Sequence, residues 1–233
     1  METPPTKTHP AAITPNASTP GSAKSGGKEL GESSRGAWRE KAAALGLRAH
    51  SGWAVLVAVS GWSVVLRRRI EMTAASGYRA SQPYHAAEEM QVARAEAFLQ
   101  RTEKIAVEMA AAAVKDAVAS LAREGYRVTG AAVLLGSGKP LPELGRILAA
   151  HPLIHTAEGV FFREVLKSAC EACGLAVVGI KEREVLERCA TALRIPAIEL
   201  PPRLSAMGKT LGPPWTQDEK LSAAAALTIL HTA

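Results

Sequence analysis

The apolar run GWAVLVAVSGWSVVL, from Gly52 to Leu66, limits most strongly what this chain can fold into. A helix that crosses a bilayer needs about 20 such residues, and the run is shorter than that. It is loaded with Val and Trp and broken by Ser60 and Gly61, where a tight turn can reverse the chain. The expected structure is a β-hairpin with strands at 53–59 and 62–72. A membrane anchor is the competing reading; it loses on length, so no membrane span is expected. The second strand continues through LRRRIEM. A period of two puts Arg67, Arg69 and Glu71 on one face and Leu66, Arg68 and Ile70 on the other. Three buried guanidinium groups would need partners, so this strand belongs at an edge or at the end of a sheet.

After the hairpin, the chain from 86 to 124 is almost free of Gly and Pro. Val92, Ala95, Leu99, Ile105, Met109, Val114, Val118 and Leu121 recur there at helical intervals. One long helix or two consecutive ones are expected, ended by Gly125. YRVTGAAVLLG reads as a buried strand leading into the turn GSGKP, and residues 142–173 as a helical region that is open to a break near HPLIHTAEG. LAVVGIKE is a second buried strand, and EREVLERCATAL and DEKLSAAAALTIL are helices. LGPPWTQDEK reads as a rigid loop with Trp215 packed down, followed by a capped helix start. Strands that alternate with helices after an antiparallel opening predict an α/β fold, a mixed sheet with helices on its faces. Residues 1–38, rich in Pro, Thr, Ser and Gly, are expected to be a disordered tail, and residues 39–233 one α/β domain.

Lys and Arg outnumber acids 28 to 22, giving a net charge of +6 and an isoelectric point near 9.4. That balance favours polyanionic partners such as nucleic acid. Only 4% of residues are aromatic, so base stacking is limited, and phosphate contacts through Arg67, Arg68, Arg69, Arg79 and Lys139 are the expected mode. Cys170, Cys173 and Cys189 make an odd count in a mid-sized chain, which excludes the disulfide framework of a small secreted domain and points to a reducing, cytoplasmic setting. Cys170 and Cys173 form a CxxC inside a helical run with no second pair to complete a zinc cage, so they are expected to be buried small hydrophobes.

The element order resembles the ribonuclease H-like superfamily, whose members begin with a β-hairpin or meander. GLRAHSGWAVL, from Gly46 to Leu56, resembles the opening of Holliday-junction resolvases, and the alanine-rich DEKLSAAAALTILHTA resembles their last helix. The resemblance implies a ribonuclease H-like mixed sheet and a nuclease that holds two divalent ions on carboxylates, the first of them on the first strand. Arg48, His50 and Ser51 stand where that acid belongs. RVTGAAVLLG carries no acid either, and only Asp218, with Glu219 beside it, remains from the last helix. Either the chain is a non-catalytic relative that binds nucleic acid or serves as a scaffold, or it uses other ligands.

Histidines supply the other ligands. His85 and Glu88, and again His155 and Glu158, stand three residues apart, so each pair can offer a nitrogen and an oxygen from one helix face to one ion. The expected metal set is His85, Glu88, His155 and Glu158. Addition of His50 or Asp218 gives a mixed site for magnesium, manganese or zinc and a metal-dependent phosphodiesterase. The competing account makes each Glu an ordinary first-turn acid and each His a cap or a satisfied core group. LLGSGKP lacks the full phosphate-loop spacing; it is expected to be a strand-to-helix turn, open to an anion held by backbone N–H groups and Lys139.

Overall fold

Alanine and leucine, with one glycine, build the middle of the sheet. The computed structural model describes residues 40–74, 81–136, 138 and 140–232. The expected tail, Arg79 and Lys139 lie outside them. Lys41–Ala49 forms β1, KAAALGLRA, a strand that the expected hairpin did not include. Trp53–Ser60 (β2) and Ser63–Glu71 (β3) are that hairpin, turned at Gly61, whose φ of 54° suits glycine. The sheet therefore opens with a three-stranded antiparallel meander rather than with the hairpin alone. Tyr126–Leu135 (β4) pairs in parallel with β1, and Val177–Lys181 (β5) in parallel with β4. The order β3-β2-β1-β4-β5, with helices on both faces, is the mixed α/β sheet expected from the element order.

The helices are α1 (Pro83–Ala87), α2 (Val92–Arg123), α3 (Leu144–Leu148), α4 (His151–Ala172), α5 (Val185–Leu193), α6 (Leu200–Met207) and α7 (Gln217–Thr232). The expected long helix is thus a short turn and a 32-residue helix, and the break near HPLIHTAEG falls just before His151. α6 was not anticipated. No described helix is long and apolar enough to cross a membrane, and residues 52–66, the proposed anchor, lie in the sheet.

Strand alternation sorts the core into two layers. Ala44, Val55, Val57, Val59, Ala132, Leu134 and Ile180 face α7 with α5 and α6. Leu45, Leu47, Ala54, Leu56, Ala58, Ala131 and Val133 face α2 and α4. Ala223 to Ala226 of α7 are all fully buried, and their small side chains, wherever they meet the sheet, let that helix sit directly on β1. A Cβ at Gly46 would lie 1.8 Å from the Ser222 carbonyl oxygen and 2.9 Å from the Ala226 nitrogen. Gly46 is therefore a point of close backbone approach within a strand.

β3 is an edge strand, and its arginines alternate as expected. Arg68 turns toward α2, pairing with Asp116 and donating to Ser120 Oγ at 3.1 Å. On the other face, Arg67 donates to the carbonyls of Gly212 and Pro214, and Arg69 pairs with Glu71 at 2.6 Å and lies 3.8 Å over the Trp53 ring. Trp215 packs down, its indole donating to the Leu204 carbonyl at 2.9 Å. Thr216 and Glu219 close a capping box at the start of α7, the buried Glu219 accepting the Thr216 backbone N–H at 2.7 Å.

Cys170 and Cys189 are buried, and burial pushes both thiols up to about 12. Cys173 is half-buried and is also raised by burial. Thiolate, the reactive form, is thus scarce at all three, and only Cys173 is open to a reagent. Iodoacetamide at pH 8 is expected to label no more than one thiol in the native chain and three after denaturation, counted by intact mass. Two or more labels on native protein would contradict the packing of α4 and α5.

Candidate functional site

In an open α/β sheet, ligands bind beyond the carboxyl ends of the strands, where neighbouring connections run in opposite directions. β1 and β4 meet that condition, since the chain leaves β1 toward β2 and leaves β4 toward β5. At the end of β1, Arg48 forms a two-pronged ion pair with Glu182, at 2.9 and 3.1 Å, and a further one with Asp218 at the start of α7. Hydrogen bonding to Glu182 raises its pKa above the ordinary arginine value, burial opposes this, and Asp218 adds to the rise. His50 Nε2 lies 2.9 Å from the second Asp218 oxygen, and its ring stacks on Trp53 at 4.1 Å.

A carboxylate two-ion centre does not fit this place. The first-strand position supplies a guanidinium rather than an acid, that guanidinium occupies both nearby carboxylates, and Glu219 is committed to its capping box. Arg48 itself supplies the positive charge that the acids would otherwise take from metal.

The second group lies on α1 and the first turns of α4. His151 and His155 are one helical turn apart and so share a face. Their Nε2 atoms are 3.1 Å apart, and the His85 ring lies 5.0 and 4.7 Å from theirs. One ring nitrogen from each of the three lies within 4.8 Å of the others. Two nitrogens bound about 2.0–2.1 Å from a tetrahedral zinc ion sit about 3.3 Å apart, close to the His151–His155 separation. Without an ion, the same separation suits an N–H···N hydrogen bond between neutral rings.

Glu158 backs this cluster. Its carboxylate is buried, 5% exposed, and accepts from His85 Nδ1 at 2.9 Å and from the His85 backbone N–H at 3.3 Å. A carboxylate on one imidazole nitrogen fixes the tautomer and leaves the other nitrogen for a ligand, the arrangement found behind metal-bound histidines. Tyr84, next to His85, is raised above the usual tyrosine value by burial first and then by Glu103 and Glu158.

The expected residues therefore fall into two groups. His85, His155 and Glu158 come together, whereas His50 and Asp218 meet at the end of β1 with Arg48. Glu88 joins neither group: it caps the short α1 from an exposed position, and its carboxylate makes no hydrogen bond or ion pair among the described residues. The short helix turns His85 inward toward α4, so its acid comes from α4 and not from three residues along its own chain. His151 was missed as a ligand, although HPLIH already shows two histidines at i and i+4, a spacing that places both rings on one helix face. Glu182 and Arg163 were missed as well. Nothing in their local sequence separates them from solvated helix charges.

A cleft of about 610 Å³ adjoins the histidines. His155, Thr156, Gly159, Val160 and Arg163 of α4 form one wall, and Leu135, Gly136, Gly138, Pro140 and Leu141 form the other.

No protein-family profile matches this chain, and no curated protein does. Among solved structures, it is similar to Thermus thermophilus RuvC in complex with a Holliday junction substrate. The two are 12% identical over 80% of this chain and 90% of that one, with a TM-score of 0.45. It is likewise similar to a second Thermus thermophilus RuvC structure, at 13% identity over 80% and 92% of the two chains and a TM-score of 0.43. The fold assignment rests on strand order and pairing.

Proposed function

We propose that this chain is a nucleic-acid-binding ribonuclease H-like protein that holds a divalent transition metal on His85, His151 and His155, and that it hydrolyses phosphate esters there. The observation that carries the reading is the convergence of the three imidazoles in front of buried Glu158. Imidazole donors suit zinc, and manganese less well, whereas magnesium prefers oxygen ligands. A three-histidine site leaves one coordination position for water or substrate, and a bound zinc ion would lower the pKa of that water and polarise a phosphoryl oxygen. Glu158 orients His85, and the pair His151 and His155 is set by one helical turn of α4. The net charge of +6 supports a polyanionic substrate. Arg67, Arg68 and Arg69, with Arg79 and Lys139, are the proposed phosphate contacts. Binding there would compete with the internal partners of the first three.

A second reading, favoured by Arg48 in the place of the first-strand acid, is a non-catalytic nucleic-acid-binding scaffold. Metal analysis of the purified chain separates the two. One equivalent of zinc is expected in the wild type, lost in His151→Ala and His155→Ala and kept in Glu88→Ala. Glu158→Gln is expected to weaken zinc about 10- to 100-fold by freeing the His85 ring. Cleavage of junction, duplex and hybrid substrates should follow zinc occupancy. Salt-sensitive binding without stoichiometric metal or cleavage would leave the scaffold reading, and absence of both would sink the two together.

A further inference from the structure

Arg163 is the feature of the cleft that the histidine site leaves unexplained. It is half-buried, and it makes no hydrogen bond or ion pair with any described residue. Burial lowers its pKa from the ordinary arginine value; Glu182 acts against this and the Arg48 charge with it. It stays protonated at neutral pH all the same, since a guanidinium does not deprotonate in proteins. A guanidinium taken partly out of water with its five donors unused is suited to a planar, two-oxygen acceptor, either phosphate or carboxylate.

The backbone leaves room for that side chain. A Cβ at Gly136 would lie 3.2 Å from Arg163 Nη1, and one at Gly159 would lie 2.8 Å from it. Two glycines, one at the end of β4 and one a helical turn before Arg163, thus let the guanidinium lie along the floor of the cleft. The remaining walls are largely apolar, Leu135, Pro140, Leu141 and Val160. Glu164 also lines the cleft; it pairs at 3.8 Å with Lys167 on the exposed side of α4. The volume, about 610 Å³, falls within the roughly 300–1,000 Å³ of small-molecule sites and is too small for a duplex.

We propose that this cleft binds a single nucleotide through its terminal phosphate. Arg163 takes two phosphate oxygens, and the apolar walls take the flat base. The inference rests on the three-histidine reading of the adjoining site, because His155 belongs to both and brings the phosphate toward the metal ligands. The nucleotide is either free or the phosphorylated end of a single strand. The two sources share one chemistry.

The test is calorimetric titration of the full chain with AMP, adenosine, inorganic phosphate and a 5′-phosphorylated or unphosphorylated oligonucleotide, after EDTA treatment and again with one equivalent of zinc. AMP is expected to bind in both states. Arg163→Met is expected to weaken it about tenfold or more, as loss of a charge-assisted contact does, and adenosine should bind more weakly than AMP by a similar factor. Gly159→Ala keeps the charge but displaces the guanidinium, so it should also weaken AMP while the thermal midpoint holds or rises, because alanine favours a helix over glycine. A gain from the 5′-phosphate on the oligonucleotide assigns the strand end, and AMP binding without it assigns the free nucleotide. Equal AMP affinity in wild type and Arg163→Met, or equal affinity for adenosine and AMP, overturns the proposal. Arg163-dependent AMP binding in a chain that takes no zinc removes the metal reading and keeps the cleft; zinc bound with AMP ignored does the reverse.

Discussion

Gly46→Ala is expected to abolish the native fold or to lower its stability by more than about 3 kcal/mol, beyond the usual range for an extra methyl in a core. The added Cβ would fall 1.8 Å from the Ser222 carbonyl oxygen, and the obstruction is backbone, not the end of a mobile side chain. Relief requires α7 to lift off β1, which would open the alanine layer across the middle of the sheet. Domains are stable by only about 5–15 kcal/mol, so a loss of that size removes much of the total. Urea unfolding followed by circular dichroism measures it, with Gly159→Ala as the contrast, since that Cβ meets only the far end of Arg163. A midpoint unchanged in Gly46→Ala would show that α7 does not seat on β1 in this way.

Arg48→Met is the second large effect. It keeps an unbranched, largely apolar side chain but removes the guanidinium, so Glu182 and Asp218 lose the cation that they share. Hydrogen bonds to charged groups contribute about 1.5–3 kcal/mol each, reduced here because the three side chains are 23%, 32% and 22% exposed. A loss of about 1–3 kcal/mol is expected, which for a domain of this size moves the thermal midpoint about 2–4 °C per kcal/mol. The informative measurement is the same melt with millimolar manganese. A divalent ion can occupy the place of the lost guanidinium, so manganese should restore part of the midpoint in Arg48→Met and have little effect there in the wild type. A variant as stable as the wild type, or one indifferent to manganese, would argue against Arg48 as the internal counter-cation of these carboxylates.

Periodicity alone located much of the sheet. Val55, Val57 and Val59 against Ala54, Leu56 and Ala58 is a two-sided strand, and the arginines of β3 fall on the faces that alternation gives them. Periodicity passed over β1, which only the resemblance around Gly46 to Leu56 pointed to, because KAAALGLRA has no β-branched residue and carries a glycine, both of which count against a strand. What makes it one is pairing with β2 on one side and β4 on the other, under the cover of α7, and β4 and α7 lie far along the chain where no local pattern records them. The candidate site divides in the same way. Each histidine was visible, but the HxxE spacing assigned Glu88 to His85, whereas the acid that reaches that ring is Glu158 on another helix. Spacing reports which residues share a face of one helix and not which helix that face meets.

The alanine layer under α7 also acts as a spacer of fixed thickness. Asp218 sits one turn before Ser222, the residue whose carbonyl touches the Gly46 backbone, so the height of the helix above the strand sets how far that carboxylate stands from Arg48. A bulkier residue where these alanines meet the strand would raise the helix and lengthen the ion pair without touching either charged group. The gauge of the sheet-to-helix contact and the electrostatics at the end of β1 are therefore mechanically coupled, so a change in the first shifts the second.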